Sequence, residues 1–487
     1  MKNIILIIID ALRKGNLNLY GYPIETAPFL ERIGMAGRVF KNAYSTTNAT
    51  DPSLTSIYTG KYPRHAGLVN HGVRIKPHEI HSLNYSIFLQ EILLAYGYVT
   101  IAIDTLHRWH RRGFKYYIDP TQVHIKGGKS ILKKIIHRSI KLENLWLKIV
   151  PFLSSKRGLF SKPTAKHVTE LALYMLKRQA NYKKPFFLLI HYWDTHTPYI
   201  PPQTIVDRLY ENNKKFYVKI KPSLSEVIEK IHNNSWKKYI LTLFRTHDYN
   251  LARVLAAYDA SILYIDFHLK LLFKELETLG LIDNTLIIIT ADHGESLYEH
   301  SIFFDHHGLY DVSLAVPLII IDREMQGKFI ETPTQLIDLF PTIIDLAGLK
   351  PTQYIKRALS NVDGISLVRD SFYETSEDRL LFFEESYTER KIALRVGPLK
   401  YITALSRRDA VCRYCGRIHG GIEELYDLRA DPLEVINLAE KKPELKALLR
   451  HELFKILKRL EKRKMRSKLS KYRLKMLNAL RKREHIN

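Results

Sequence analysis

The sequence is poor in cysteine and has no long apolar run. Only Cys412 and Cys415 occur among 487 residues, too few for the disulfide framework of a small secreted domain. No stretch reaches the roughly 18 to 20 consecutive apolar residues that a membrane-spanning helix needs. The apolar run at residues 4–9 is too short and wrongly flanked for a signal peptide. We therefore expect a cytoplasmic protein.

Acidic side chains are also scarce relative to basic ones, since 75 Lys and Arg stand against 50 Asp and Glu. Half of the net charge of +25 sits at the carboxyl end, where residues 440–487 hold 18 basic and five acidic side chains. Such a segment could make weak contacts with an anionic surface or nucleic acid, although a solvated surface is the commoner meaning.

The two cysteines form one Cys-Arg-Tyr-Cys-Gly unit at residues 412–416. This unit could be half of a zinc knuckle, a local disulfide or two bystanders. Structural zinc needs four ligands, and in the sequence only His419 stands close by. We therefore expect no metal at this pair.

Short apolar runs rich in β-branched residues alternate with helical patterns, which predicts an α/β fold with a mostly parallel sheet covered by helices. In such sheets ligands gather beyond the carboxyl ends of the strands. The runs span residues 2–10, 98–104, 185–191 and 285–293. Three of them end at Asp10, at His191 and at the pair Asp292 and His293, so we expect these residues at that edge.

The chain divides into three predicted parts. Residues 1–375 form the catalytic α/β domain, with insertions at about 122–161 and 205–248 that could shape an entrance to the site. Residues 376–439 form a small antiparallel sheet. Residues 440–487 form a basic amphipathic helical tail. Its apolar stripe comprises Leu445, Leu449, Leu453, Ile456, Leu460, Met465, Leu469, Tyr472 and Met476.

The segment NATDPSLTSIYTG at residues 48–60 allows two interpretations of Thr50. Pro52 fits the first turn of a helix, so Thr50 could cap that helix while free N–H groups face an anion. A divalent cation held nearby by carboxylates and an imidazole could instead activate its hydroxyl to attack an anionic ester. Both readings are compatible with metal-assisted phosphoryl or sulfuryl transfer.

Six motifs, in the same order, resemble those of the sulfatase family within the alkaline phosphatase superfamily. The resemblance covers most of residues 1–440. The motifs are IDALR at 9–13, TDPSLTSIYTG at 50–60, YWDTHTPY at 192–199, TADHGE at 290–295, HGLYD at 307–311, and the late pair DLFPT at 338–342 and ELYDL at 424–428.

The resemblance implies a role for each matching residue. It implies a metal site formed by Asp10, Thr50, Asp292 and His293, with Thr50 as the nucleophile. It implies that His196 contacts the substrate or protonates the leaving group, and that His307 contacts the substrate or a second metal. Asp194, His306 and His307 are the other candidates for a second metal, which stays open. His191 and His300 are interpreted as hydrogen-bonded structural histidines.

Three departures from the family pattern bear on the chemistry. Classical sulfatases oxidise a cysteine or serine at the position of Thr50 to formylglycine, and threonine cannot give that aldehyde. Leu54 replaces an arginine, and Ala11 replaces one of two opening aspartates. A threonine at this position resembles the phosphodiesterases and phosphatases of the superfamily, which implies cleavage of a phosphoric mono- or diester through a covalent Thr50 intermediate.

Three alternatives stay open at this stage. The chain could hydrolyse a sulfuric ester without formylglycine, or transfer a phospho group to an alcohol. It could also be an inactive relative that binds anions or nucleic acid through its tail. The cation could be Mg²⁺, Mn²⁺ or Ca²⁺, while additional histidine ligands would favour Zn²⁺.

Overall fold

The computed structural model describes residues 1–122, 162–180, 184–219, 223–231, 233–369 and 379–484, with side chains up to residue 467. All but the first residue of the predicted insertion 122–161 lies outside this part of the chain. In the described part, no helix is both long and apolar enough to cross a membrane.

An eight-stranded sheet in the order β5-β4-β6-β1-β7-β8-β2-β9 forms the centre of the molecule. The five strands from β5 to β7 are parallel, whereas β8 runs antiparallel to its neighbours β7 and β2. This confirms the predicted mostly parallel sheet. The strands are β1 Asn3–Ile9, β2 Arg38–Phe40, β4 Val99–Ile103, β5 Tyr116–Ile118, β6 Phe186–Tyr192, β7 Thr285–Thr290, β8 Leu318–Ile321 and β9 Lys328–Ile330.

The central strand β1 is buried along its whole length between β6 and β7. Its seven residues are almost all branched and apolar, as expected for a strand covered on both faces. Ile8 lies opposite His191 on one side and Thr290 on the other. The three strands therefore end level with one another, and the residues that follow them meet at one edge.

Helices flank this sheet, and the longest one beside it is Leu251–Thr278. The side chain of Asn250 caps its amino end by accepting hydrogen bonds from two backbone N–H groups. A two-stranded sheet pairs β3 Ala43–Tyr44 with β10 Thr334–Gln335. The other helices before residue 370 are Pro28–Ala36, Thr50–Thr59, Pro63–Ala66, Pro77–Leu83, Leu89–Ala95, Ala165–Ala180, Gln203–Asn212, Lys214–Tyr217, Leu224–Glu229, Asn234–Arg245, Asp311–Leu314, Leu339–Leu346 and Gln353–Leu359.

A second, four-stranded antiparallel sheet follows the catalytic region, as predicted. The short helix Arg407–Ala410 follows its third strand, and the long helix Pro443–Glu484 packs on the sheet. The strands are β11 Leu381–Glu385, β12 Lys391–Val396, β13 Leu399–Ala404 and β14 Glu423–Asp427.

The carboxyl-terminal helix confirms only the first part of the predicted apolar stripe. The buried side chains Leu449, Leu453, Ile456 and Leu460 pack against the second sheet. Met465 is 63% exposed, so its inclusion in the stripe was wrong. The side chains of Leu469, Tyr472 and Met476 lie outside the described residues.

Charged side chains of the same helix also tie it to the catalytic region. Arg463 pairs with the buried carboxylate of Asp363 at 2.8 Å, and Glu461 pairs with Arg64 at 2.8 Å. Asp363 also contacts His65 at 2.8 Å. The beginning of the basic segment is therefore a packed element of the fold.

In its described residues, the predicted insertion 205–248 is largely helical and lies beside the segment that carries His196. Tyr239 donates to the hydroxyl of Thr197 at 3.1 Å. Trp236 stacks on Tyr414 with a ring separation of 5.3 Å. This insertion therefore bridges the His196 segment and the loop that contains the two cysteines.

Leu453 provides a test of how much the carboxyl-terminal helix stabilises the second sheet. We expect Leu453→Ala to lower the free energy of unfolding by about 2–5 kcal/mol, because it leaves a cavity at a fully buried position. Urea denaturation monitored by circular dichroism measures the change. Leu448→Ala in the same helix is the control, since Leu448 is 66% exposed and should change stability by only about 0.5 kcal/mol. Equal losses in both variants would contradict this packing.

Candidate active site

Asp10, Asp292 and His293 converge at the carboxyl edge of the sheet. One ligand atom from each lies within 4.8 Å of the others, and all three side chains are buried. His293 Nε2 is 3.7 Å from Asp10 Oδ1 and 3.4 Å from Asp292 Oδ2. The two carboxylates arrive from neighbouring parallel strands, β1 and β7, whose ends place them together.

Ala11 connects the two acidic segments through its backbone. Its φ of 57° is left-handed, a conformation that costs roughly 1–3 kcal/mol for a residue with a side chain. In this conformation the Ala11 N–H donates to Asp292 Oδ1 at 3.2 Å, while its carbonyl accepts from Tyr258 at 2.8 Å. The strained turn thus holds one oxygen of Asp292 and leaves the other directed at the site.

His293 is held as a neutral imidazole with Nε2 facing the two acids. Its Nδ1 lies 2.8 Å from the carbonyl of Gly294, which identifies Nδ1 as the protonated nitrogen. Burial lowers the pKa of His293 to about 3. A side chain at residue 294 would collide with the carbonyl of Val312, at 2.2 Å from an added Cβ. Gly294 therefore permits the close backbone approach behind the imidazole.

Thr50 lies beside His293, at the beginning of the helix Thr50–Thr59. Its Oγ1 is 3.2 Å from His293 Nε2. The predicted capping role is wrong, because the helix already begins at Thr50 and its cap residue Ala49 offers no side-chain hydrogen bond. The hydroxyl therefore faces the acid–histidine group instead of the helix end.

The donor set fits a divalent cation. Both side-chain oxygens of Asp10 and Oδ2 of Asp292 are buried and have no hydrogen-bond partner among the described residues. Burial and the charge of Asp292 raise the pKa of Asp10 well above its usual value. Two buried carboxylates with free lone pairs are costly unless a positive charge neutralises them. Two carboxylates, an imidazole nitrogen and a hydroxyl suit Mg²⁺, Mn²⁺ or Ca²⁺, and do not exclude Zn²⁺.

His191 lies closer to this group than its structural interpretation implied. Its Nδ1 contacts the buried Asp104 at 2.8 Å, as expected for a hydrogen-bonded histidine, but its Nε2 lies 3.9 Å from Asp10 Oδ2. Within the described part of the chain, that Nε2 has no hydrogen-bond partner. Its position at the end of the apolar run at residues 185–191 was the available sequence signal.

Lys162 and Glu295 are two residues near the site that motif reading did not select. Lys162 Nζ donates to the carbonyl of Asp194 at 3.0 Å and also to that of His196. Burial lowers the pKa of Lys162 to about 8, against the opposing charges of Asp194, Asp10 and Glu295. Burial raises the pKa of Glu295, which accepts from Tyr199 at 3.2 Å. Glu295 lies within the TADHGE motif, whereas nothing local marks Lys162.

His196 and His306 extend the site away from the two acids. The His306 ring stacks on His293 at 4.2 Å, and the His196 ring lies 6.0 Å from His306. His196 Nδ1 is 2.7 Å from the carbonyl of Thr197. Burial lowers the pKa of His196 to about 4 and that of His306 to about 3. Both rings are therefore neutral near pH 7.

The three residues proposed for a second metal contact different partners in this structure, and the second metal stays a prediction. Asp194 Oδ1 accepts from the N–H of Ala165 at 3.1 Å, and His306 Nδ1 donates to the carbonyl of Asn48. His307 Nδ1 lies 3.4 Å from Asp305. Within the described residues, the convergent metal-binding groups include His307 but neither Asp194 nor His306.

His300 stacks on Tyr310 with a ring separation of 3.6 Å and an interplanar angle of 6°. Its φ of 54° turns the backbone so that its carbonyl lies 3.1 Å from His419 Nδ1. These contacts fit the structural role expected for His300.

Comparison with known proteins gives the class of this fold and site. A family model described as Sulfatase matches residues 2–349. A choline-sulfatase of Rhizobium meliloti is 30% identical over 277 residues, which cover 55% of this chain and about half, 49%, of that protein. A protein named Sulfatase from Formosa agariphila is 24% identical over 449 residues, covering 90% of this chain and 83% of that protein.

Solved structures support the fold. The phosphonate monoester hydrolase of Agrobacterium radiobacter matches with a TM-score of 0.61 and 18% identity, covering 94% of this chain and 96% of that one. A structure solved with D-glucosamine-2-N,6-O-disulfate as its substrate matches with a TM-score of 0.65 and 18% identity, covering 95% and 98%.

The sheet, its small antiparallel companion and these matches define an α/β ester hydrolase of the alkaline phosphatase superfamily. The chain belongs to the sulfatase family, whose model spans more than half of its length. Members of this family are ester hydrolases and depend on a divalent cation.

The buried acid pair predicts that stabilisation by a divalent cation increases with pH. Without the cation, the raised pKa of Asp10 makes the folded state bind more protons than the unfolded state. Stability is therefore lost as pH rises through that pKa, and a cation competes better with protons at higher pH. We expect Mn²⁺ or Mg²⁺ to raise the melting temperature more at about pH 8 than at about pH 5.

Asp292→Asn tests this linkage directly. Thermal melts of the chelated variant should show a higher melting temperature than the chelated wild type, because a like charge has been removed, and added cation should have little effect. Asp322→Asn is the matched control. Asp322 pairs with Lys2, which precedes the amino end of β1, whereas the site lies at the carboxyl end of that strand. A cation response that survives Asp292→Asn would contradict the assignment.

Proposed function

We propose that this protein hydrolyses a phosphoric mono- or diester through a covalent intermediate on Thr50. The observation that carries the proposal is the 3.2 Å contact between Thr50 Oγ1 and His293 Nε2, beside the Asp10 carboxylate and the Oδ2 atom of Asp292, which have no hydrogen-bond partner among the described residues. Oxidation of threonine would give a ketone, because its Cβ carries a methyl group. The formylglycine chemistry of a sulfatase is therefore closed to this side chain, and its hydroxyl is left as the attacking group.

The residues of the chain have distinct roles in this reaction. Asp10, Asp292 and His293 would hold a divalent cation, which would lower the pKa of the Thr50 hydroxyl and neutralise charge on the ester. The Thr50 hydroxyl gives up its proton to solvent, and its Oγ1 forms a bond to phosphorus while the bond to the leaving alcohol oxygen breaks. Water then cleaves the phosphothreonine ester, releases phosphate or a phosphoric monoester, and restores the hydroxyl.

Neutral and cationic donors near Thr50 suit an anionic ester. Lys162 contributes a positive charge close to His196, and Nε2 of His196 is free because Nδ1 is engaged with the Thr197 carbonyl. Burial keeps the His196 imidazole neutral in the free protein. A bound anion favours its protonated form, which can then give a proton to the leaving oxygen.

Thr50→Ala should abolish phosphoester turnover while the cation still binds. We expect a loss of roughly 10³- to 10⁶-fold in kcat, as for removal of other covalent nucleophiles. The wild type and the variant are assayed in parallel on an aryl phosphate, a phosphodiester and an aryl sulfate, with the divalent cation at saturating concentration. Quenching the wild type during turnover should reveal a phosphoryl group on the peptide that contains Thr50, by mass spectrometry.

Thr59→Ala is the matched control, because its hydroxyl is buried in the same helix and bonds to the Thr55 carbonyl at 2.7 Å. It should retain turnover and cation binding. Sulfate turnover that survives Thr50→Ala, with no labelled peptide in the wild type, would overturn the proposed nucleophile and substrate class.

Replacement of His196 should affect poor leaving groups most. We expect His196→Gln to lower kcat for alkyl phosphates by about 10²- to 10⁴-fold, because their alkoxide needs a proton as it departs. The kcat for nitrophenyl phosphate should fall far less, because its leaving group departs without a proton. His268→Gln is a control, since that buried ring contacts Tyr264 and Phe267 on its own helix. An equal loss for every leaving group would contradict the protonation role.

A further inference from the structure

The loop that carries both cysteines has the backbone geometry of a metal-binding knuckle. Residues Val411 and Ile418 form an antiparallel bridge at its base. The N–H of Gly416, which has a left-handed φ of 72°, donates to the Cys412 carbonyl at 2.9 Å. The N–H of Cys415 donates to the sulfur of Cys412, and the N–H of Arg417 donates to the sulfur of Cys415. These bonds engage both thiols with the backbone of the same loop.

His419 joins the two sulfurs from the same loop. Its Nε2 lies 3.0 Å from Cys415 Sγ, and its Nδ1 lies 3.1 Å from the carbonyl of His300. An imidazole that donates one N–H to a backbone carbonyl presents the lone pair of its other nitrogen, as zinc ligands do. The contact with His300 therefore fixes the ligand form of His419.

His307 completes the group from the catalytic region. One ligand atom each from His307, Cys412 and His419 lies within 4.8 Å of the others, and all three residues are buried. Asp305 Oδ2 is 3.4 Å from His307 Nδ1. Asp305 therefore lies on the Nδ1 side of the ring, where a carboxylate can support a zinc-binding histidine, which leaves Nε2 available to a metal.

We propose that Cys412, Cys415, His419 and His307 bind one structural zinc ion. Two thiolates and two imidazoles form the usual tetrahedral set, with ligand distances of about 2.3 Å for sulfur and 2.0 Å for nitrogen. Sequence reasoning expected no metal at the cysteine pair because only three ligands stand near one another in the chain. The fourth ligand, His307, lies more than a hundred residues away in sequence and enters through the tertiary fold.

The proposed zinc ion joins the second sheet region to the edge of the active site. His307 follows His306, whose ring stacks on His293, and Cys412 and Cys415 flank Tyr414. Tyr414 donates to Tyr387 at 3.2 Å. The zinc ion would therefore hold the tyrosine pair beside the active-site histidines, without taking part in the reaction.

Cobalt substitution tests the site on the wild-type chain. The catalytic group has only oxygen and nitrogen donors, and Cys412 and Cys415 are the only cysteines in the chain. Thiolate-to-cobalt charge-transfer absorption can therefore arise only at the knuckle. We expect this absorption after Co²⁺ exchange into the full-length protein, and we expect zinc to displace it. Elemental analysis of anaerobically purified protein should find zinc at about one ion per chain beyond any metal at the catalytic site.

Two variants separate the sites. Asp292→Asn should keep the cobalt–thiolate absorption while losing the catalytic cation, whereas Cys412→Ser with Cys415→Ser should lose the absorption. His307→Ala should weaken zinc retention against a chelator by about 10- to 100-fold or more. If the cysteine variants do not fold, thiol titration of the wild type decides: chelation should increase thiol reactivity. A Cys412–Cys415 disulfide in anaerobic protein, or bound metal without a thiolate signature, would overturn the proposal.

Discussion

Two carboxylates buried side by side, Asp10 and Asp292, set the main constraint on this molecule. Among the described residues, neither carboxylate is fully satisfied by protein donors, because both oxygens of the Asp10 side chain and one oxygen of the Asp292 side chain lack a hydrogen-bond partner. The neighbouring groups are arranged around this unpaired charge: His293 is neutral and turned towards it, and the strained backbone of Ala11 supports it. The energetic cost of this arrangement is offset when a cation binds, which couples the stability of the fold to occupancy of the site.

The four-stranded sheet is attached to the active site, because its side chains bind the segment that follows the TADHGE motif. Asp311 pairs with Lys400 at 2.8 Å and with Arg395 at 3.0 Å, both from the second sheet. Glu385 accepts from the N–H of Gly308 at 2.9 Å. Both contacts involve residues that closely follow His307 in the chain, so the proposed zinc ion would reinforce an interface that is already charged and buried.

Much of the architecture could be predicted because its signals are local. Unbroken β-branched runs ending in acid or histidine predict parallel strands and their ligand edge, and the resemblance of the Thr50 segment to the family motif implies the position of the proposed nucleophile. Lys162 could not be found this way, since its contacts with the carbonyls of Asp194 and His196 involve a distant segment. The exposure of Met465 shows the opposite case, in which helical periodicity continues after the packing surface has ended.

The sequence by itself determined the family, the sheet, the acid–histidine motifs and the chemical limit that threonine places on the nucleophile. Those properties reside in side-chain identity and short-range periodicity. The tertiary structure alone decided that Thr50 faces His293 instead of capping its helix, and that His307 turns towards Cys412 and His419. The physical reason is that orientation and convergence depend on strand register and on contacts between residues far apart in the chain.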